Sequence, residues 1–154
     1  MASGGNGKWR KILAVACIVL AMVACTGKPT GAEPKNAARV KQGEALYAQH
    51  CASCHGAKRE GQADWRRRKP DGRLPAPSHN ETGHTWHHPD AMLFSIVKHG
   101  MVPPLAPEGY QSDMPAFGGK LSDREIWAVL SYIESTWPAE VWQVREEMLK
   151  QTGR

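Results

Sequence analysis

Cys51-Ala52-Ser53-Cys54-His55 is the stretch on which the rest of the chain depends. Two thiols three residues apart project from nearly one side of a helical turn, and an imidazole follows at once. This arrangement suits thioether bonds from both sulfurs to the two vinyl groups of one porphyrin, with His55 as a proximal ligand to its iron. Two other chemistries use part of the pattern. A dithiol redox pair needs a βαβ context, and none is legible nearby. A zinc site could recruit His84 and His88, which are four apart. However, 29 residues separate Cys54 from His84, far more than the spacer of a zinc finger.

The flanks support the porphyrin reading. Upstream, Val40, Gly43, Tyr47 and Cys51 recur at helical spacing. A glycine inside that helix costs about 1 kcal/mol relative to alanine, which makes sense where a second helix crosses closely. That second helix is legible near the far end. Ser122 and Glu125 form a capping box, and Ile126, Val129, Leu130, Ile133 and Trp137 then share one face. Pro138 stops or redirects the helix. The stretch from Ala139 to Lys150 predicts a further amphipathic helix whose Val141, Trp142, Val144, Met148 and Leu149 could pack back on the core. A short helix from Pro89-Asp90 to Lys98, ended by Gly100, places Met92, Leu93, Ile96 and Val97 inside. Residues 60–83 and 101–120 are rich in Pro and Gly and read as loop. Helices joined by such long loops would leave the chain short of a core. A cofactor at the centre supplies one.

The chain has 154 residues, enough for one domain. Residues 1–24 read as an export signal: Lys8, Arg10 and Lys11 precede the apolar run Ile12 to Ala24. At thirteen residues the run falls short of the ~20 that span a bilayer. Leu20-Ala21-Met22-Val23-Ala24-Cys25 resembles a bacterial lipobox, although Met22 stands where Leu is usual; lipidation is expected at Cys25. Cys17 leaves with the signal, so no cysteine pair remains for a disulfide. Residues 25–36 then form a flexible tether. Loss of the three N-terminal cations lowers the formal charge from +5 to +2. Two propionates would bring it close to neutral, so the high pI of the full chain is no argument for nucleic acid.

In this order the segments resemble the class I c-type cytochromes across residues 37–137, with 138–154 as a C-terminal helical extension. Gly43 to Tyr47 before Cys51-Ala52-Ser53-Cys54-His55-Gly56 is similar to the family's N-terminal helix. Ser112-Asp113-Met114-Pro115-Ala116-Phe117-Gly118 is similar to its distal-ligand loop, and Leu121 to Ile133 to its C-terminal helix. The resemblance implies an all-α cytochrome c fold: three main helices, the extra C-terminal helix, and long loops wrapped around one covalent haem c. It also implies that Gly43 and Tyr47 meet Val129 and Tyr132 at the helix crossing. A proline carbonyl, here Pro77 in preference to Pro75, would accept the second N–H of His55. Met114 would be the distal ligand in preference to Met92, Met101 or His99. A thioether there favours reduced iron and suits an electron carrier.

The expected function is single-electron transfer between membrane-associated redox partners on the extracytoplasmic side. The chain would be anchored through Cys25 and would itself be no enzyme. One rival is a haem subunit of a dehydrogenase, oxidase or peroxidase. Another is a copper-handling protein using His79, His84, His87 and His88. Those histidines could instead line the haem edge and bond its propionates, with Trp86 packed on the ring. His84, His87 and His88 belong to a Gly-His-Thr-Trp-His-His run, and the passage from Pro75 to Asp90 resembles a subgroup of bacterial cytochromes that carry such a run. The basic loop Arg66-Arg67-Arg68-Lys69 with Arg73 could steer an acidic partner, touch anionic lipid or simply be solvated.

Overall fold

The computed structural model describes residues 30–151. The expected signal peptide and Cys25 lie outside the described residues. Within them the fold is all-helical: α1 (Ala37–His50), α2 (Ala52–His55), α3 (Asp90–His99), α4 (Asp123–Ser135) and α5 (Ala139–Gln151), with one 3-10 turn at Thr85–His87. Among the described residues no helix is long and apolar enough to cross a membrane.

The crossing of α1 and α4 is the centre of the fold. A Cβ on Gly43 would come within 1.9 Å of the Ala128 carbonyl oxygen and 2.9 Å of Tyr132 Cβ. Only glycine lets the two backbones come this close. One turn on, Tyr47 is buried and its ring meets Tyr132 at 5.3 Å. Its hydroxyl donates to the Gly56 carbonyl at 3.2 Å, across the attachment turn. The α4 N-terminus carries the capping box expected there: Ser122 Oγ accepts from Glu125 N, and Glu125 Oε2 accepts from Ser122 N. Ile126, Val129, Leu130, Ile133 and, past the helix end, Trp137 are all buried, so the apolar face read from the sequence faces inward.

Two apolar clusters flank this crossing. One joins Leu93, Phe117, Leu121, Ile126, Trp127 and Leu130, with Phe94, Val97 and Met114 against it. The other joins Tyr47, Val129, Ile133 and Trp137, with Cys51, Ala52, Trp86, Val141 and Trp142 against it. In α3 only Leu93 is buried, while Met92, Ile96 and Val97 are half-buried.

The N-terminal approach is held more firmly than a free tether. Glu33 N donates to Ser131 Oγ at 2.8 Å, and the Glu33 carboxylate pairs with Arg39 at 3.0 Å. Asn36 then caps α1, its Oδ1 accepting from Arg39 N.

The extension α5 folds back on the domain through a cation. Arg145 is 2 % exposed. Its Nη1 donates to the carbonyls of Trp86 at 2.6 Å and His88 at 2.5 Å, and its Nη2 to Asp90 Oδ1 at 2.5 Å. The guanidinium also sits over the Trp137 ring at 5.3 Å. The Gly-His-Thr-Trp-His-His run is therefore, in part, the cradle that receives Arg145. Val144, expected to pack inward, is 51 % exposed instead. The inward side of α5 is centred on Arg145, with Trp142 and Leu149, and Val144 lies about 100° of helix rotation from Arg145.

Candidate haem-attachment site

Because α1 ends at His50 and Cys51 caps the one-turn helix α2, the attachment stretch is continuous with the buried face of α1. Cys51 is half-buried against the Tyr47 cluster, while Cys54 is exposed; both thiols are free. Burial first, and then neighbouring Cys54, push the Cys51 thiol up to about 11. A dithiol redox pair works through a lowered thiol pKa, so this environment opposes that chemistry. Among the described residues no three His, Cys, Asp or Glu side chains are grouped as a metal site. The Cys2His2 zinc set of Cys51, Cys54, His84 and His88 is therefore not assembled among them.

His55 is buried, 7 % exposed. Its Nδ1 lies 2.8 Å from the Pro77 carbonyl oxygen. This contact makes Nδ1 the protonated nitrogen and leaves Nε2 as the one able to bind a metal. Burial lowers the His55 pKa, and the Pro77 bond partly offsets this, which favours the neutral, ligating imidazole. Free thiols beside a neutral, oriented imidazole are the donor set that covalent haem needs.

The loop that brings in Pro77 is tied to the residues after His55. Gly61 N donates to the His55 carbonyl at 2.8 Å. The Arg59 carbonyl, set by a backbone φ of 64°, accepts from Ser78 Oγ, His79 N and Asn80 N. Gly61 has φ 76°, and a Cβ there would lie 2.5 Å from Ser78 N. The loop thus closes tightly behind the His55 ring.

Met114 is half-buried against the Leu93–Leu130 cluster, whereas Cys51 packs against the Tyr47 cluster. Its loop is clasped to the basic loop. Asp113 accepts from Lys69 Nζ at 2.6 Å and Arg73 Nη1 at 2.7 Å, and these bonds, Lys69's first, hold its carboxyl below the usual range. Two cations of the basic loop are therefore engaged internally. Arg66 and Arg68 also donate to carbonyls, of Thr82 and Gly72.

The histidine set divides. His84 stacks on Trp65 at 5.6 Å and meets His88 edge-on at 5.2 Å. Trp86 stacks on His87 at 3.7 Å while lying against the cluster that takes Cys51. His79 stands apart, its ring parallel to that of His55 at 3.9 Å. The sequence alone did not separate it from its neighbours.

Residues 38–133 match the family described as cytochrome C oxidase, cbb3-type, subunit III. The chain belongs to this family. It therefore contains a monohaem c-type cytochrome domain carrying covalent haem c, of the kind that serves electron transfer and is extracytoplasmic. Comparison with curated proteins and with solved structures found no match.

Proposed function

We propose that this cytochrome carries single electrons between membrane-associated partners on the extracytoplasmic side, exported by the signal over residues 1–24 and held to the membrane by lipid on Cys25. Cys51 and Cys54 would make the thioethers that hold the haem, and His55 Nε2 and the Met114 thioether would be the two protein ligands to its iron. Bound haem supplies a one-electron iron couple. The chain's own groups bias it: the Pro77 carbonyl fixes the His55 tautomer, and the Met114 sulfur favours the reduced state. With both protein ligands in place, no coordination site would remain for substrate. This favours a carrier over an enzyme.

The observation that carries this reading is the 2.8 Å approach of His55 Nδ1 to Pro77 O, one residue beyond the second thiol. It leaves the imidazole one free nitrogen, in the tautomer that a metal requires. The family's description favours a second reading, in which the same domain serves as the haem subunit of an oxidase assembly.

The test is to expose the purified, reduced holoprotein to carbon monoxide and then to oxidase-containing membranes. An unchanged spectrum with carbon monoxide, followed by reoxidation by the membranes, is the expected result. Carbon monoxide binding by the unsubstituted protein would overturn the carrier assignment. Stable copurification with other oxidase subunits would select the second reading.

A further inference from the structure

The face of the His55 ring is covered by a second imidazole. His79 lies parallel to it, with centroids 3.9 Å apart and an interplanar angle of 21°. The Tyr47 ring also meets His79 in a T-shaped contact, with centroids 5.9 Å apart and planes at 68°. The backbone of His79 is fixed at both ends: its N donates to Arg59 O at 2.8 Å, and its carbonyl accepts from Trp137 Nε1 at 2.9 Å. Ser78, immediately before it, is wholly buried and bonded to Arg59 O and Asn80 Oδ1. The His79 ring is thus presented on a locked segment, two residues after the carbonyl that holds the edge of His55.

Those two contacts constrain different freedoms. A hydrogen bond from Nδ1 to Pro77 O fixes the tautomer and the direction of one ring edge, yet it leaves the ring free to pivot about that bond. A flat group against the ring face removes the pivot. The choice of residue is informative too. His79 Nδ1 is buried without a hydrogen-bond partner, a cost that an apolar side chain would avoid. A flat ring of imidazole size is present where bulk alone would be met more cheaply by leucine.

We propose that His79 is a positioning residue for the axial imidazole: its ring sets the plane of His55, and so the orientation in which Nε2 meets the haem iron. The inference rests on the assignment of His55 as proximal ligand. The plane of an axial imidazole governs its π overlap with the iron. The spread of the ferric g-values and the haem-methyl shifts in paramagnetic NMR both report it.

The experiment compares unsubstituted holoprotein with His79→Leu and His79→Phe by EPR, paramagnetic NMR and haem content. Leucine fills space without a flat face, and phenylalanine restores one. The expected result is a moved largest g-value and redistributed haem-methyl shifts in His79→Leu, with both returning toward the unsubstituted values in His79→Phe. Superimposable spectra in the unsubstituted protein and His79→Leu, with histidine-ligated haem in each, would overturn the inference alone. Absence of histidine ligation in the unsubstituted protein would overturn the site assignment and the inference together. Should His79→Leu lose its haem, His79→Phe decides. Retention of haem with near-native g-values supports the proposal, and loss of haem or shifted g-values overturns it.

Discussion

Arg145 Nη2 lies 2.5 Å from Asp90 Oδ1, across 55 residues of chain. With the two carbonyl contacts on Nη1, this bond fixes the C-terminal helix to the start of α3 and the loop before it. Removing the guanidinium leaves the Trp86 and His88 carbonyls and the Asp90 carboxylate without this donor. Breaking a buried pair of this kind costs about 3–5 kcal/mol, and the lower end applies because the Asp90 side chain is 37 % exposed. Arg145→Met should lower the denaturation midpoint accordingly, as measured by chemical denaturation of the holoprotein. Arg145→Lys should recover only part, because an ammonium cannot reproduce the planar fork.

Glu134 predicts a pH dependence of stability. It is 2 % exposed, and burial first, then the charge of Asp90, push its carboxyl up to about 8. Arg145 opposes the shift. Between the ordinary value of 4.5 and about 8 the folded protein holds this proton and the unfolded chain does not. The unfolded state then binds fewer protons, so stability falls as pH rises. The contribution is fully present below 4.5 and is lost as pH climbs through about 8. In that window the folding constant should drop by up to about tenfold per pH unit from this group. Glu134→Gln should flatten the profile in a denaturation series from pH 5 to 9.

Gly43→Ala tests the helix crossing. Alanine would gain about 1 kcal/mol of helix propensity, yet its Cβ would sit 1.9 Å from the Ala128 carbonyl oxygen. Overpacking by a methyl group typically costs about 1–3 kcal/mol. The site cannot relax cheaply, because the clash is with backbone. Net destabilisation of about 2 kcal/mol or failure to accumulate holoprotein is expected, read by denaturation and haem yield.

On the proposed ligation by Met114, Met114→Ala should lower the midpoint potential, because a thioether ligand favours reduced iron. It should also allow carbon monoxide to bind the ferrous form. Redox titration and a carbon monoxide difference spectrum measure both. An unchanged potential would remove Met114 from the axial position.

The parts legible in the sequence are those written in local pattern. The capping box at Ser122, the inward face of α4 and the close approach at Gly43 each follow from spacing or from the properties of a single residue. Arg145 did not, because its partners lie 55 to 59 residues away and nothing in an amphipathic pattern distinguishes a caged arginine from a solvated one. Its neighbour Val144 was misread for the complementary reason: an apolar residue off the buried side of a helix looks like core until the helix is docked. Glu134 lies beside the apolar face of α4, where the charge suggests solvent, yet it is buried facing Asp90 and Arg145. His79 could not be told from His84, His87 and His88 by sequence, since its separate role comes from a loop that folds it onto His55.

The most direct test of the account is peptide mass spectrometry of protein matured in an exporting host. Tryptic cleavage after Lys41 and Lys58 releases residues 42–58, which hold both thiols and His55. One haem mass on that peptide, absent when both Cys51 and Cys54 are replaced by serine, is the predicted result. A coloured protein whose 42–58 peptide carries two unmodified thiols would contradict it.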